Sequence, residues 1–524
     1  MLWSTGAFGV YLIAMVAIGL WAYRRTVSQS DFVLGGRRLN SWVAGLSANA
    51  SDFSGWLLLG LPGAVYVSGL GEAWIAVGLA CGFAGSWILL APRLRVYTQR
   101  VTDARIGGDS DSLTLPSFLE NRFNDPTRLL RGVSSVLIIV FYFFYVASGL
   151  VAMAALFDQI FGLDPAPAIA IGVGIVVLYT VLGGFLAVSY TDVVQAAMMW
   201  LALLIVPVLA ITALGGFSGL ADGVAAKSDG LLSAVGGTSL DADLGQWVST
   251  DTLGWVVIVS GLAWGLGYFG QPHILARYMG IRSVKDIPAA ATISVTWAIS
   301  AMALAVLVGF IGIARFETPL DSPEQVFPRL IEALAHPLVA GVLLAAILAA
   351  VMSTADSQLL VASSSLTEDG YRAFVDRDAD PKTLLWISRG AVIAVALAAA
   401  GIALWGNSSV MELVGYAWAG FGAGFGPILL LSVFWKRMTW TGALAGMIAG
   451  GGTAILWDIL DEAFFGIGLY AMVPAAILSF AAIFVFNGLG RVSDQMAADF
   501  DRVEAEVRSG EEGGSAVASE DAKA

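Results

Sequence analysis

The stretch SANASDFSGW, Ser47 to Trp56, sets one carboxylate, Asp52, among serines and small residues. It lies within an apolar run, residues 41–60, that otherwise reads as buried in lipid. Serine and glycine favour local breaks in a helix, and hydroxyls can re-satisfy the backbone groups that a break frees. An unwound turn exposes carbonyl oxygens. Carbonyls, hydroxyls and carboxylates are what a hard cation such as Na⁺ needs, by analogy with the oxygen preference of Ca²⁺ and Mg²⁺. A charged Asp at the centre of a bilayer costs about 2.5–3.5 kcal/mol, so Asp52 must face a cation, a partner or water. The other reading is a structural break in which Asp52 caps a half-helix.

Three more stretches carry candidate chemistry. In LAAVMSTADSQLLVASSS, Ala350, Ser353, Thr354 and Ser357 follow i, i+3, i+4, i+7 spacing and share one helical face. That hydroxyl stripe offers neutral oxygen ligands, or it supplies small packing residues between membrane helices. Asp356 lies to one side of the stripe, placed to pair with an arginine or to line an inner water path. In WGLGYFGQPHILARY, Trp264 and Tyr268 are four apart and expected to face together, while Pro272 and the glycines disfavour a continuous helix. An aromatic pair beside an unwound turn makes a wall for a small apolar body; lipid-interface aromatics are the alternative. His273 reads as a packing histidine. In TDVVQAAMM, Asp192 reads as the N-cap of a helix starting near residue 191, with a place on an ion path as the alternative. Arg37 and Arg38, in LGGRRLN, are accounted for as topological charges.

The elements that must hold these residues are membrane helices. Of 524 residues 58% are hydrophobic and 13% charged, against about a quarter charged in a soluble protein. Such a composition, spread over many long apolar runs, means a polytopic, all-α membrane protein embedded in lipid. The single cysteine, Cys81, excludes an internal disulfide and a cysteine metal cluster, and two histidines, His273 and His336, supply no His-based catalytic centre. No enzyme chemistry, organic cofactor or nucleic-acid partner is indicated. The net charge of −13 is partly due to the acidic tail. The organisation reads as a membrane domain over 1–490 and a cytoplasmic tail over 491–524, a short amphipathic stretch followed by a disordered end. The first apolar run lacks a basic flank and is long enough to span, so it reads as a helix rather than a cleavable signal.

Thirteen runs are long enough to cross a bilayer: 6–23, 41–60, 72–91, 132–160, 168–186, 191–214, 253–270, 289–314, 337–365, 387–405, 410–435, 441–457 and 470–486. Basic residues collect in the odd-numbered connections: Arg24, Arg25, Arg37 and Arg38; Arg93, Arg95, Arg100, Arg105, Arg122, Arg128 and Arg131; Arg277, Arg282 and Lys285; then Arg372, Arg377, Lys382, Lys436 and Arg437. Even-numbered ones hold little beyond Lys227, Arg315 and Arg329. The positive-inside rule then puts the N-terminus outside and the C-terminus in the cytoplasm. Runs 2 and 7 are both interrupted, lie five spans apart and cross in opposite directions. Two breaks in corresponding places of inverted halves, runs 2–6 and 7–11, point to a secondary transporter with a central site. The core of this repeat covers about 41–435.

At this point the motifs form a pattern. DFVLGGRRLNSWVAGLSANASDFSGWLLLGLPGAVYVSGLGEAWIA, LTLPSFLENRF, YTVLGGFLAVSYTDVVQA, WGLGYFGQPHILARYM, AILAAVMSTADSQLL and VGYAWAGFGAGFGP closely resemble the sodium:solute symporter family over roughly 5–490. The resemblance fails in the loop around 216–250 and in the tail. The run-7 motif and SGWLLLGLPGAVY point to the proline branch. The resemblance implies a LeuT-type fold with two discontinuous helices and sodium-coupled uptake of L-proline across a bacterial cytoplasmic membrane. It implies a sodium site made by the backbone carbonyls of Ala50, Phe53 and Ala350 and the hydroxyls of Ser353 and Thr354, with Asp52 close by. It implies proline contacts from Ser54, Gly55, Trp56, Tyr145, Trp264, Tyr268 and Pro272, and functional importance for Arg37 and Asp192. The rivals are a symporter of the same fold for another amino acid, pantothenate or a sugar, and a transporter-like sensor. The short tail, with no recognisable kinase or response domain, speaks against the sensor.

Overall fold

The computed structural model describes residues 2–23, 29–100, 112–241, 243–252, 254–406 and 408–509. Arg24, Arg25 and Arg105, and the tail beyond Ser509 expected to be disordered, lie outside the described residues. Apolar runs in lipid can satisfy their backbone only internally, and the chain accordingly folds into helices. Nine helices among the described residues are long and apolar enough to cross a membrane, with shorter apolar helices at Gly6–Ala22, Pro165–Leu178 and Gly254–Phe269.

In order, the helices that frame the bundle are α1 (Leu2–Tyr23), α2 (Ser41–Asp52), α3 (Leu61–Ser68), α4 (Ala73–Gly85), α5 (Ala91–Arg100), α6 (Leu115–Phe123), α7 (Leu129–Phe161) and α8 (Pro165–Ala213). The second half holds α9 (Gly254–Ala263), α10 (Pro272–Gly280), α11 (Ile287–Arg315), α12 (Pro337–Ser364), α13 (Pro381–Trp405), α14 (Val410–Phe434), α15 (Trp440–Leu460), α16 (Met472–Phe486) and α17 (Asp494–Ser509). Both interruptions read from the sequence are present. The first lies between α2 and α3. The second is a 3₁₀ turn, Trp264–Phe269, between α9 and α10. One end of each broken helix is tied to the other: Leu39 N donates to Gly280 O at 3.2 Å and Arg282 N to Leu39 O at 2.9 Å.

Two expectations need correction. The helix carrying Asp192 does not start near 191. It runs on from Pro165 with one non-helical residue, Gly184 (φ 61°, ψ −171°), a backbone conformation that glycine alone adopts cheaply. Asp192 is therefore eight residues inside a helix and caps nothing. Second, Arg95, Arg122 and Arg277, counted as loop charges, are helical and buried, at 2%, 2% and 0% exposure. The poorly matching loop near 216–250 holds a hairpin. Thr238–Asp241 and Gln246–Ser249 pair antiparallel as β1 and β2, with Leu240 opposite Trp247. Trp247 donates its indole N–H to Tyr66 O at 2.9 Å, fixing this hairpin over α3.

The bundle is drawn tight where glycines meet. Gly78 and Gly82 on α4 form a G-x₃-G face against Gly261 and Gly265, and a Cβ at Gly82 would overlap the Gly265 carbonyl. This contact sets the position of the second break. Gly82→Ala should cost about 1–3 kcal/mol of stability, the usual range for overpacking. Gly452→Ala, at a helical position with nothing within 4 Å, should cost nothing. Thermal unfolding of the two variants in detergent checks the difference.

Candidate functional site

The site starts from one displaced hydrogen bond. In a continuous helix the amide of Ser54 would bond to the carbonyl of Ala50. Here α2 ends at Asp52, Phe53 takes φ −79° and ψ 82°, and Ser54 N turns back to Asp52 O at 2.9 Å. The Ala50 carbonyl is released into a dry interior, where an unpaired carbonyl is expensive. Hydroxyls of α12 take it up: Ser353 Oγ lies 2.7 Å and Thr354 Oγ1 3.3 Å from Ala50 O. Ser353 Oγ is also 3.0 Å from Ala350 O. Four oxygens from two helices thus meet with no nitrogen among them, a donor set suited to a hard cation. Phe53 packs its ring against Trp56, Phe83 and Trp297, and its non-helical backbone turns its carbonyl out of the helix line.

Asp52 reaches the other way. Its Oδ2 accepts from the Tyr268 hydroxyl at 2.6 Å, so the two broken helices are joined side chain to side chain. The carboxylate caps no half-helix. Its backbone carbonyl accepts the Trp56 indole N–H at 3.0 Å, which locks Trp56 beside the break. Ser54 and Gly55 are buried here, with the α-carbon of Gly55 pressed towards Ala152 on α7 and Val351 on α12.

Beyond Asp52 lies an aromatic enclosure. Because Trp264–Phe269 is a 3₁₀ turn, Trp264 and Tyr268 are joined through a third residue, Trp418 on α14. Trp264 stacks at 6.2 Å from Trp418 and at 5.0 Å from Tyr470. Tyr268 and Tyr145 meet the same Trp418 edge-on at 5.1 and 6.3 Å. Trp418 donates its N–H to Trp264 O at 2.7 Å, holding the turn in shape. Pro272 is set apart. It opens α10 and lines a small cavity of about 20 Å³ with Leu115, Ile138, Met279 and Val361. The aromatic residues do not line that cavity. His273 packs as expected, its Nδ1 3.1 Å from the Tyr142 hydroxyl.

A buried ion pair underlies the cation donors. Arg277 Nη2 lies 3.1 Å from Asp192 Oδ2, both side chains at 0% exposure. Ser47 on α2 donates to the same Asp192 oxygen at 2.6 Å, and Ser357 on α12 accepts from Arg277 Nη2 at 2.6 Å. The pair therefore touches both α2 and α12, the helices that present the oxygen cluster. Asp356 is buried beside it and accepts from Ser357 at 3.2 Å. Arg37 is more than a topological charge. Its guanidinium donates to Met279 O at 2.7 Å, Thr98 O at 3.0 Å and Ser112 O at 3.2 Å, tying α10, α5 and the approach to α6.

Sequence reading missed Trp418, Arg277 and Ser47 as functional positions. Trp418 stands in the motif VGYAWAGFGAGFGP, where one large aromatic among small residues was the available signal. Arg277 was hidden because a charge near a helix end reads equally as a loop charge.

The model of the sodium:solute symporter family matches residues 32–450. The sodium/proline symporter of Escherichia coli strain K12 is 46% identical over 494 residues, covering 92% of each chain. The high-affinity proline transporter PutP of Bacillus subtilis strain 168 is 45% identical, covering 93% of this chain and 98% of that one. Among solved structures, a substrate-bound outward-open Na⁺-coupled sialic acid symporter superposes with a TM-score of 0.75 at 19% identity, over 94% of this chain and 99% of that chain. That likeness establishes the shared fold.

Arg277→Met leaves the Asp192 carboxylate buried without its cation and should cost about 3–5 kcal/mol. Adding Asp192→Asn removes the orphaned charge and should recover most of the loss. Thermal unfolding of the single and double variants checks the sign of the coupling.

Proposed function

The chain belongs to the sodium:solute symporter family, and on that premise we propose that it takes up L-proline across a cell membrane with Na⁺ as the coupling ion, by alternating access. It is a transporter, not an enzyme. The observation that carries the mechanism is the Ala50 carbonyl, freed by the break in α2 and met by the Ser353 and Thr354 hydroxyls of α12. Na⁺ is coordinated by the carbonyls of Ala50, Phe53 and Ala350 and by those two hydroxyls, with Asp52 tuning the site from the far side of the break. Proline lies against Ser54, Gly55 and Trp56 on one side and Tyr145, Trp264 and Tyr268 on the other, with Pro272 on its way out.

The order of events follows. Na⁺ replaces the direct hydroxyl–carbonyl bonds and ties α2 to α12. This sets the Ser54–Trp56 turn and, through the Asp52–Tyr268 bond, the second broken helix. The ordered pair of turns accepts zwitterionic proline. Rocking of one helix group against the other then opens the Arg37 end, where both solutes leave. One charge moving through about 100 mV contributes about 2.3 kcal/mol, and a tenfold sodium gradient about 1.4 kcal/mol. Together, about 3.7 kcal/mol supports accumulation of several hundredfold, so one Na⁺ per proline suffices.

The finer architecture belongs to the same reading. Leaving out the short α6 and the terminal α17, and counting each broken helix once, α4 with α5 as one span and α8 as two, gives thirteen spans. Spans 2–6 and 7–11 form the inverted halves, the N-terminus lies outside and α17 lies in the cytoplasm, in the cytoplasmic membrane of a bacterium.

Uptake of labelled proline into proteoliposomes tests this. An inward Na⁺ gradient should drive accumulation, and a K⁺ gradient should not. Ser353→Ala with Thr354→Ala should raise the Na⁺ concentration for half-maximal uptake by at least about tenfold, since two of its ligands are lost. Equal uptake in Na⁺ and K⁺ would overturn the coupling; no uptake under any gradient by folded protein would overturn the substrate.

A further inference from the structure

Most polar atoms of the aromatic enclosure are already engaged, the Tyr145 hydroxyl apart. Trp56 gives its indole N–H to Asp52 O, Trp418 gives its own to Trp264 O, and Tyr268 gives its hydroxyl proton to Asp52 Oδ2. These polar atoms are committed to building the wall. A zwitterion carried into this dry space needs partners at both of its poles, because buried charge without them is not tolerated.

Gln271 supplies both. It stands in the gap of the second broken helix, between the 3₁₀ turn that carries Trp264 and Tyr268 and the first turn of α10. Its exposure is 0%, and neither Nε2 nor Oε1 has a hydrogen-bond partner. Native interiors rarely leave a buried amide wholly unpaired, and such a group calls for a ligand or a water. Two residues on, His273 Nε2 also lacks a partner, as does the Tyr145 hydroxyl, on a ring 5.9 Å from that of His273. Among these, the amide alone offers a fixed donor and a fixed acceptor on neighbouring atoms. An α-imino acid presents the matching pair, a ring ammonium N–H and a carboxylate oxygen, also on adjoining positions.

We propose that Gln271 is the specificity-determining residue for the polar end of the solute: Oε1 accepts from the ring ammonium and Nε2 donates to the carboxylate. The inference rests on proline as the solute. It explains why an enclosure of rings, which any small apolar body would fill, selects an imino acid. A site built to hydrogen-bond an N–H rejects the analogue that lacks it far more strongly than an apolar pocket rejects a changed shape.

The experiment compares proline with tetrahydrofuran-2-carboxylate, in which an ether oxygen replaces the ring ammonium, as a competitor of labelled proline in proteoliposomes under an inward Na⁺ gradient. The wild-type protein should prefer proline by roughly 100-fold or more. In Gln271→Leu, the KM for proline should rise roughly 10- to 100-fold while the inhibition constant of the ether changes by less than about threefold, so the preference collapses. Gln271→Asn keeps an amide and should retain most of the preference. Gln271→Ala reads the same ratio if the leucine variant does not fold. A Gln271→Leu or Gln271→Ala variant that discriminates as the wild-type protein does would overturn the inference. Failure of the proline reading itself would be seen separately, as wild-type protein without Na⁺-driven proline uptake.

Discussion

The structure depends on one carbonyl, Ala50 O, that its own helix leaves unpaired. A helix in lipid has no water to repair a broken backbone bond, so a break at Phe53 is possible only where another element brings donors. Ser353 and Thr354 bring them to Ala50 O. The same requirement explains why α12 carries hydroxyls at that height and why it is buried along nearly its whole length. A direct hydroxyl–carbonyl contact and a cation held between the same oxygens are alternative ways to meet one constraint. That equivalence lets the two states lie close in energy, as a transport cycle requires.

The second broken helix is bound to the first at three levels. At one end, the backbone pairing of Leu39 with Gly280 and Arg282 joins them. At the middle, Asp192 and Arg277 form a buried pair that also engages Ser47 and Ser357. Beside the breaks, Asp52 accepts from Tyr268. A cation that shifts α2 relative to α12 therefore acts on the Trp264–Phe269 turn through short contacts, without long levers. The buried pair is expensive to desolvate and adds little net stability. Its use is positional: four helices must approach together for it to be satisfied, so it reports the relative placement of α2, α8, α10 and α12 in one interaction.

Much of this was legible in the sequence, because lipid makes the pattern strict. A polar decapeptide inside a spanning run, and a Gly- and Pro-interrupted run five spans later, marked both breaks. The i, i+3, i+4, i+7 hydroxyls of α12 named the partner. Tertiary geometry was not legible. Asp192 reads as an N-cap because Thr-Asp often begins a helix, but Gly184 had already absorbed the bend. Trp264 and Tyr268 were expected to meet by α-helical spacing. The chain instead winds tighter there, and the contact passes through Trp418, 154 residues from Trp264 in sequence and visible to no local pattern. The hairpin formed by β1 and β2 was missed for a similar reason, since strands of four residues leave little periodicity.

On the proposed mechanism, Na⁺ at the Ala50–Ser353 oxygens orders the pocket that takes proline. Equilibrium binding of proline to the purified protein across a range of Na⁺ concentrations, paired with Na⁺ binding across a range of proline, tests it most directly. Because the two sites share one conformational change, Na⁺ must tighten proline binding and proline must tighten Na⁺ binding by the same factor. Proline affinity that stays constant from zero to saturating Na⁺ would contradict the account.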